Sequence, residues 1–176
     1  MAVLLIAFGG LPGVGKTTLA RRLAADLGAV YLRIDSIEAA IRASLAPASM
    51  NDGGYRVAYA VAEDNLRLGR TVVADSVNPW PLTRQAWANV ARRANARLIE
   101  VEIVCSDRDE HRQRVEGRVV PEGAPLTWQD VVERDYRPWE GDHLVLETAA
   151  RSFEESVRRL RAAIEAAGAL SGPPRD

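Results

Sequence analysis

An unbroken apolar run from Val3 to Phe8 opens the chain, with no polar alternation. Such a run predicts a strand of a parallel sheet covered on both faces. Further segments at Val30–Ile34, Thr71–Ala74, Arg97–Val104 and His143–Thr148 predict four more strands. Between the strands, helices are expected from about Lys16 to Leu27 with Gly28 as the stop, and from Ser36 to Leu45 with Pro47 closing it. Others are expected at Tyr55–Leu68, Leu82–Ala94, Asp107 to about Glu116, Thr127 to about Arg134, and Ser152 to near Ala167. Asp35-x-x-Glu38, Thr127-x-x-Asp130 and Ser152-x-x-Glu155 have the spacing of helix-starting capping boxes. Ala46–Gly54, Ser76–Pro81 and Gly117–Pro125 carry glycine, proline and polar turn residues and read as loops. Strands alternating with helices give right-handed βαβ units, hence an α/β fold of three layers around a five-stranded parallel sheet. Ligands of such sheets bind beyond the carboxyl ends of the strands.

One of those strand ends carries Gly10-Leu11-Pro12-Gly13-Val14-Gly15-Lys16-Thr17, followed by Thr18. Its spacing is that of the phosphate-binding loop, in the strand–loop–helix setting the loop requires. Glycines allow successive backbone N–H groups to turn inward around phosphate oxygens, and the following helix adds unpaired donors and its dipole. Lys16 is expected on the β- and γ-phosphates, and the Thr17 hydroxyl on Mg²⁺. The fold expectation sharpens to a P-loop NTPase sandwich.

Composition strengthens this assignment. Lys16 is the sole lysine among 23 Lys+Arg residues, so at random it would fall in the loop about one time in twenty-three. A single domain over residues 1–170 is expected, with 171–176 as a frayed tail. The net charge of −1 gives no global case for nucleic acid or an anionic membrane. The single cysteine, Cys105, fits a reducing, cytoplasmic setting, and no run is long enough to span a bilayer.

Two carboxylates stand at strand tips near the loop. Asp75 ends the third strand, where it could act on Mg²⁺ through water or on an acceptor hydroxyl. Asp35 ends the second strand and is the candidate general base. Arg114 and Arg118 are one helical turn apart and are candidates for a lid, about residues 107–126, that brings guanidinium charge onto the transferring phosphoryl. Arg84 and Trp87 could line an acceptor pocket or pack on the sheet, and Arg42 lies one turn beyond Glu38. His111 and His143 lack Cys/His partners at metal-ligand spacing and read as structural or surface residues.

Together these residues resemble the small P-loop kinase family, the AAA_33-type group of the nucleoside-monophosphate-kinase-like fold. The pattern is most similar to the kinase domain of phage polynucleotide kinase, over about residues 3–120. The resemblance rests on Gly10–Thr18, Asp35, Val72-Val73-Ala74-Asp75-Ser76 with Arg84 and Trp87, and Arg114-x-x-x-Arg118. It implies ATP with Mg²⁺, Asp35 as base, Asp75 positioning the acceptor, and Arg118 on the phosphates. Glu38 stands where the polynucleotide-kinase pattern has an arginine for a 3′-phosphate, so a small-molecule acceptor is expected rather than a nucleic acid. The expected function is therefore ATP-dependent phosphotransfer to a small-molecule hydroxyl. A 5′-hydroxyl kinase of nucleosides or polynucleotides is the alternative, and a non-catalytic nucleotide-binding module the rival of another class. The want of a second lysine for Asn-Lys-x-Asp weighs against a GTPase.

Overall fold

The computed structural model describes residues 3–45, 52–117 and 126–166. Five parallel strands, β1 (Leu4–Gly9), β2 (Val30–Arg33), β3 (Val72–Asp75), β4 (Arg97–Val104) and β5 (Leu144–Glu147), form one sheet in the order β2-β3-β1-β4-β5. The strand that feeds the glycine-rich loop is thus central. Its register sets Phe8 beside Asp75 of β3 and Gly9 beside Glu102 of β4.

The unbroken apolar run of β1 serves two cores at once. Leu4, Ile6 and Phe8 pack with Leu19 and Leu23 of α1 (Lys16–Leu27) and Leu160 and Ile164 of α7 (Phe153–Ala166). Leu5 and Ala7 face the other way, onto Ala58 and Leu66 of α3 (Gly53–Arg67) and Trp87 and Val90 of α4 (Pro81–Arg93). The three expected layers are present. On β4 only one face is apolar: Ile99, Val101 and Ile103 are buried, whereas Glu100 and Glu102 alternate with them. A strap after α6 (Trp128–Val132), rather than a helix, reaches that polar face: Tyr136 donates to Glu102 at 2.8 Å, and His143 Nε2 lies 3.2 Å from the same carboxylate.

Local signals explain most helix ends. Asp107 accepts from the N–H groups of Asp109 and Glu110 to start α5 (Arg108–Glu116), Thr127 and Asp130 form the expected capping box of α6, and Ser152 accepts from Glu155 N–H. Pro81 occupies the first turn of α4, one residue before the expected start. The third expected capping box is absent. Helix α2 (Ile34–Leu45) follows β2 directly, so Asp35 sits inside its first turn and pairs with Arg33 at 2.9 Å instead of capping. Arg118, the remainder of the expected lid, most of the Ala46–Gly54 loop and the 171–176 tail lie outside the described residues. Among the described residues no helix is long and apolar enough to cross a membrane.

Candidate active site

The loop from Gly10 to Gly15 leaves β1 and enters α1 through backbone angles that suit glycine. Gly10, Gly13 and Gly15 have φ of 131°, 88° and 98°. At Gly10 a Cβ would also lie 2.2 Å from the Ile103 carbonyl oxygen, so only glycine fits on both counts. Lys16 is buried, and its Nζ donates to the Leu11 carbonyl at 2.9 Å. Two side chains from distant elements also reach loop carbonyls. His111 Nε2 is 2.8 Å from Pro12 O, and Thr148 Oγ1 is 3.0 Å from Val14 O.

Beside the loop opens a cavity of about 320 Å³, lined by Gly13, Gly15 and Thr18 on one side and Arg114, Arg151 and Phe153 on the other. Arg114 is held at its rim: Nη1 donates to Thr148 Oγ1 at 2.9 Å, Nη2 to Thr148 O at 3.0 Å, and Glu110 pairs with the same guanidinium. This places Arg114 next to the phosphate loop.

The carboxylates lie toward the β2 edge. Asp75 is 3% exposed at the tip of β3, and Tyr31 donates to its Oδ2 at 2.7 Å. Arg33 joins the two acids: its Nη2 is 2.9 Å from Asp35 and its Nε 3.9 Å from Asp75. The Asp35 side chain is 61% exposed, so one carboxylate is buried and braced and the other open to solvent. Burial, reinforced by the Asp75 charge, pushes the Tyr31 phenol well above its ordinary value, so it stays a donor throughout the working pH range. Further along α2, burial raises the Glu38 carboxyl above its usual value, with Arg42 at 3.3 Å opposing the shift. Gly54 of α3 passes so close that a Cβ there would lie 2.3 Å from Glu38 Cγ.

Arg84 occupies a different environment from the expected acceptor pocket. It is buried, and its guanidinium donates to the carbonyls of Asn78, Pro79, Arg137 and Pro138 at 2.5–3.2 Å while lying 4.4 Å over the Trp139 ring. Four donors are thereby committed to backbone, and the residue ties the loop after β3 to the strap. Trp87 is fully buried against the Tyr59 ring, 4.6 Å away edge-on, and of the two readings open from the sequence it takes packing on the sheet. Tyr31, Arg33, Thr148 and His111 join the site through contacts that spacing along the chain did not announce.

No curated protein sequence matches the chain. Solved structures of the same fold include the Mycobacterium tuberculosis APS kinase CysC in complex with AMPPNP and APS, at 22% identity and TM-score 0.67, covering 93% of this chain and 98% of that one. Kti12 of Chaetomium thermophilum in complex with ADP-AlF3 is 22% identical with TM-score 0.66, covering 96% of this chain and 100% of that one. A gluconokinase from Sinorhizobium meliloti 1021 is 18% identical with TM-score 0.63, covering 92% and 91%. At these identities the likeness concerns the fold. The AAA_33 family model, described as an AAA domain, matches residues 5–137. The chain belongs to the AAA_33 family, the small P-loop kinase group that its motifs resemble.

Proposed function

We propose that the protein transfers the γ-phosphate of ATP to a hydroxyl of a small-molecule acceptor. The observation that carries this reading is the pair of carboxylates beside the phosphate loop. Asp75 is in register with Phe8, one residue before the β1 terminus, and Arg33 links it to the exposed Asp35. Asp35 takes the acceptor's proton as the new O–P bond forms and the bond to the departing ADP breaks. Asp75, held by Tyr31, orients the acceptor. Lys16 and the N–H groups of Gly13 to Thr18 stabilise the charge on the phosphates, and lid arginines, Arg118 among them, complete the enclosure. Arg114 forms part of the nucleotide site from the cavity rim. The Thr17 hydroxyl is a hard oxygen donor of the kind that would hold Mg²⁺. When bound there, Mg²⁺ would neutralise charge on the β- and γ-phosphates.

Glu38 supports a small acceptor. An anion closed in between α2 and α3, with Arg42 neutralised beside it, opposes a phosphodiester partner at that position. The APS kinase of this fold, which holds AMPPNP and APS, offers a precedent for such an acceptor.

Labelled ATP with Mg²⁺, incubated with pooled nucleosides, sugars, antibiotics and a 5′-hydroxyl oligonucleotide, tests the reading. A labelled small molecule that disappears with Asp35→Asn is the expected result. Labelled oligonucleotide would overturn the acceptor class. Free phosphate alone, at a rate indifferent to Asp35→Asn, would replace the kinase by a nucleotide-binding module.

A further inference from the structure

A loop that turns its N–H groups inward to an anion turns carbonyls outward, and a buried carbonyl without a donor is costly. Side chains supply donors to three of them here: Lys16 to Leu11 O, Thr148 to Val14 O and His111 to Pro12 O. Lys16 belongs to the motif, and Thr148 follows β5. His111 comes from α5, which falls within the segment expected to form the lid.

His111 is built into this contact. It is 5% exposed, and its ring meets Trp128 of α6 edge-on with centroids 5.1 Å apart. At Gly13 a Cβ would lie 2.5 Å from Val115 Cγ2 and 3.3 Å from His111 Cδ2, so α5 rests directly on the loop. Because a carbonyl only accepts, the 2.8 Å contact requires the hydrogen on Nε2.

We propose that His111 is a positioning residue for nucleotide binding: its Nε2–H holds the Pro12 carbonyl outward and so presets the following N–H groups for the β-phosphate. The inference rests on the reading that this loop binds a nucleotide. Without the donor, the loop would reach its binding shape less often, and affinity would fall by the fraction of loops in that shape.

Calorimetric titration with ADP and Mg²⁺ reads this directly, without an acceptor. His111→Phe keeps a ring against Trp128 and removes the donor, whereas His111→Gln places an amide N–H near the position of Nε2. The expected result is about tenfold weaker ADP binding for His111→Phe, the scale of one lost hydrogen bond, and affinity within about threefold of wild type for His111→Gln. Should His111→Phe not fold, His111→Asn replaces it, its amide standing near Nδ1 and short of Pro12. Unchanged affinity in the donor-less variant, or equal loss in His111→Gln, overturns the proposal while leaving nucleotide binding intact. A wild-type protein that binds no ADP would overturn both.

Discussion

Asp75 and Asp35 are the same functional group in opposite surroundings. Asp75 is closed off and receives the Tyr31 hydroxyl, while the Asp35 side chain is open to solvent apart from its pairing with Arg33. Asp35→Asn is therefore expected to lower kcat by about 100-fold or more, within the range of general-base catalysis, and to leave ADP affinity unchanged in calorimetry. Tyr31→Phe removes one hydrogen bond to a carboxylate, and a smaller loss in kcat, about tenfold, is expected from steady-state rates. Lys16→Ala should abolish turnover with the fold retained in circular dichroism. The placement of Asp75 at the tip of β3 and of Asp35 just beyond β2 was legible in the sequence, because each follows an apolar run. Their partners were not. Tyr31 is 44 residues from Asp75, and His111 is 99 from Pro12, and no local pattern encodes contacts at such separations.

At the scale of elements, the polar face of β4 stands out from an otherwise apolar sheet. Burial raises the Glu100 carboxyl above its usual value, and His143 and Arg84 only partly oppose this. A carboxyl raised in the folded state costs stability above its folded pKa, and the cost vanishes below the unfolded value. Glu100→Gln should accordingly raise Tm at pH 7, with the gain fading to nothing near pH 4. The strap over this face can be probed at Gly9, where a Cβ would lie 2.3 Å from Trp139 Cζ2. Gly9→Ala is expected to cost about 2 kcal/mol of overpacking, a Tm lower by about 4–8 °C, with part of the loss recovered by adding Trp139→Leu. Strand and helix order was readable from hydrophobic periodicity, and most helix starts from their capping residues. The β2–α2 junction was misread because Asp35-x-x-Glu38 matches a capping box in spacing, yet the chain turns helical before Asp35, at Ile34 rather than Ser36. For Arg84 the sequence admits an acceptor pocket or packing alike, and the carbonyls that claim it come partly from Arg137 and Pro138, far downstream.

For the molecule as a whole, nucleotide should act as a fold-wide ligand, since the loop is packed by α5, by the residue after β5 and by the central strand together. ADP at about 100 times its Kd is expected to add about 2.7 kcal/mol, a Tm rise of about 5–10 °C in differential scanning fluorimetry, absent in Lys16→Ala. The central place of β1 has another consequence, for the order in which the protein acquires structure. β1 is made before both of its partners, β3, beginning at Leu5↔Val72, and β4, beginning at Leu4↔Arg97. On the ribosome its apolar run has no partner until β3 has emerged and lacks its second until β4 follows, and closing such distant pairings is slow. A fully buried strand of the finished protein is thus one that must wait, apolar and unpaired, for partners made later.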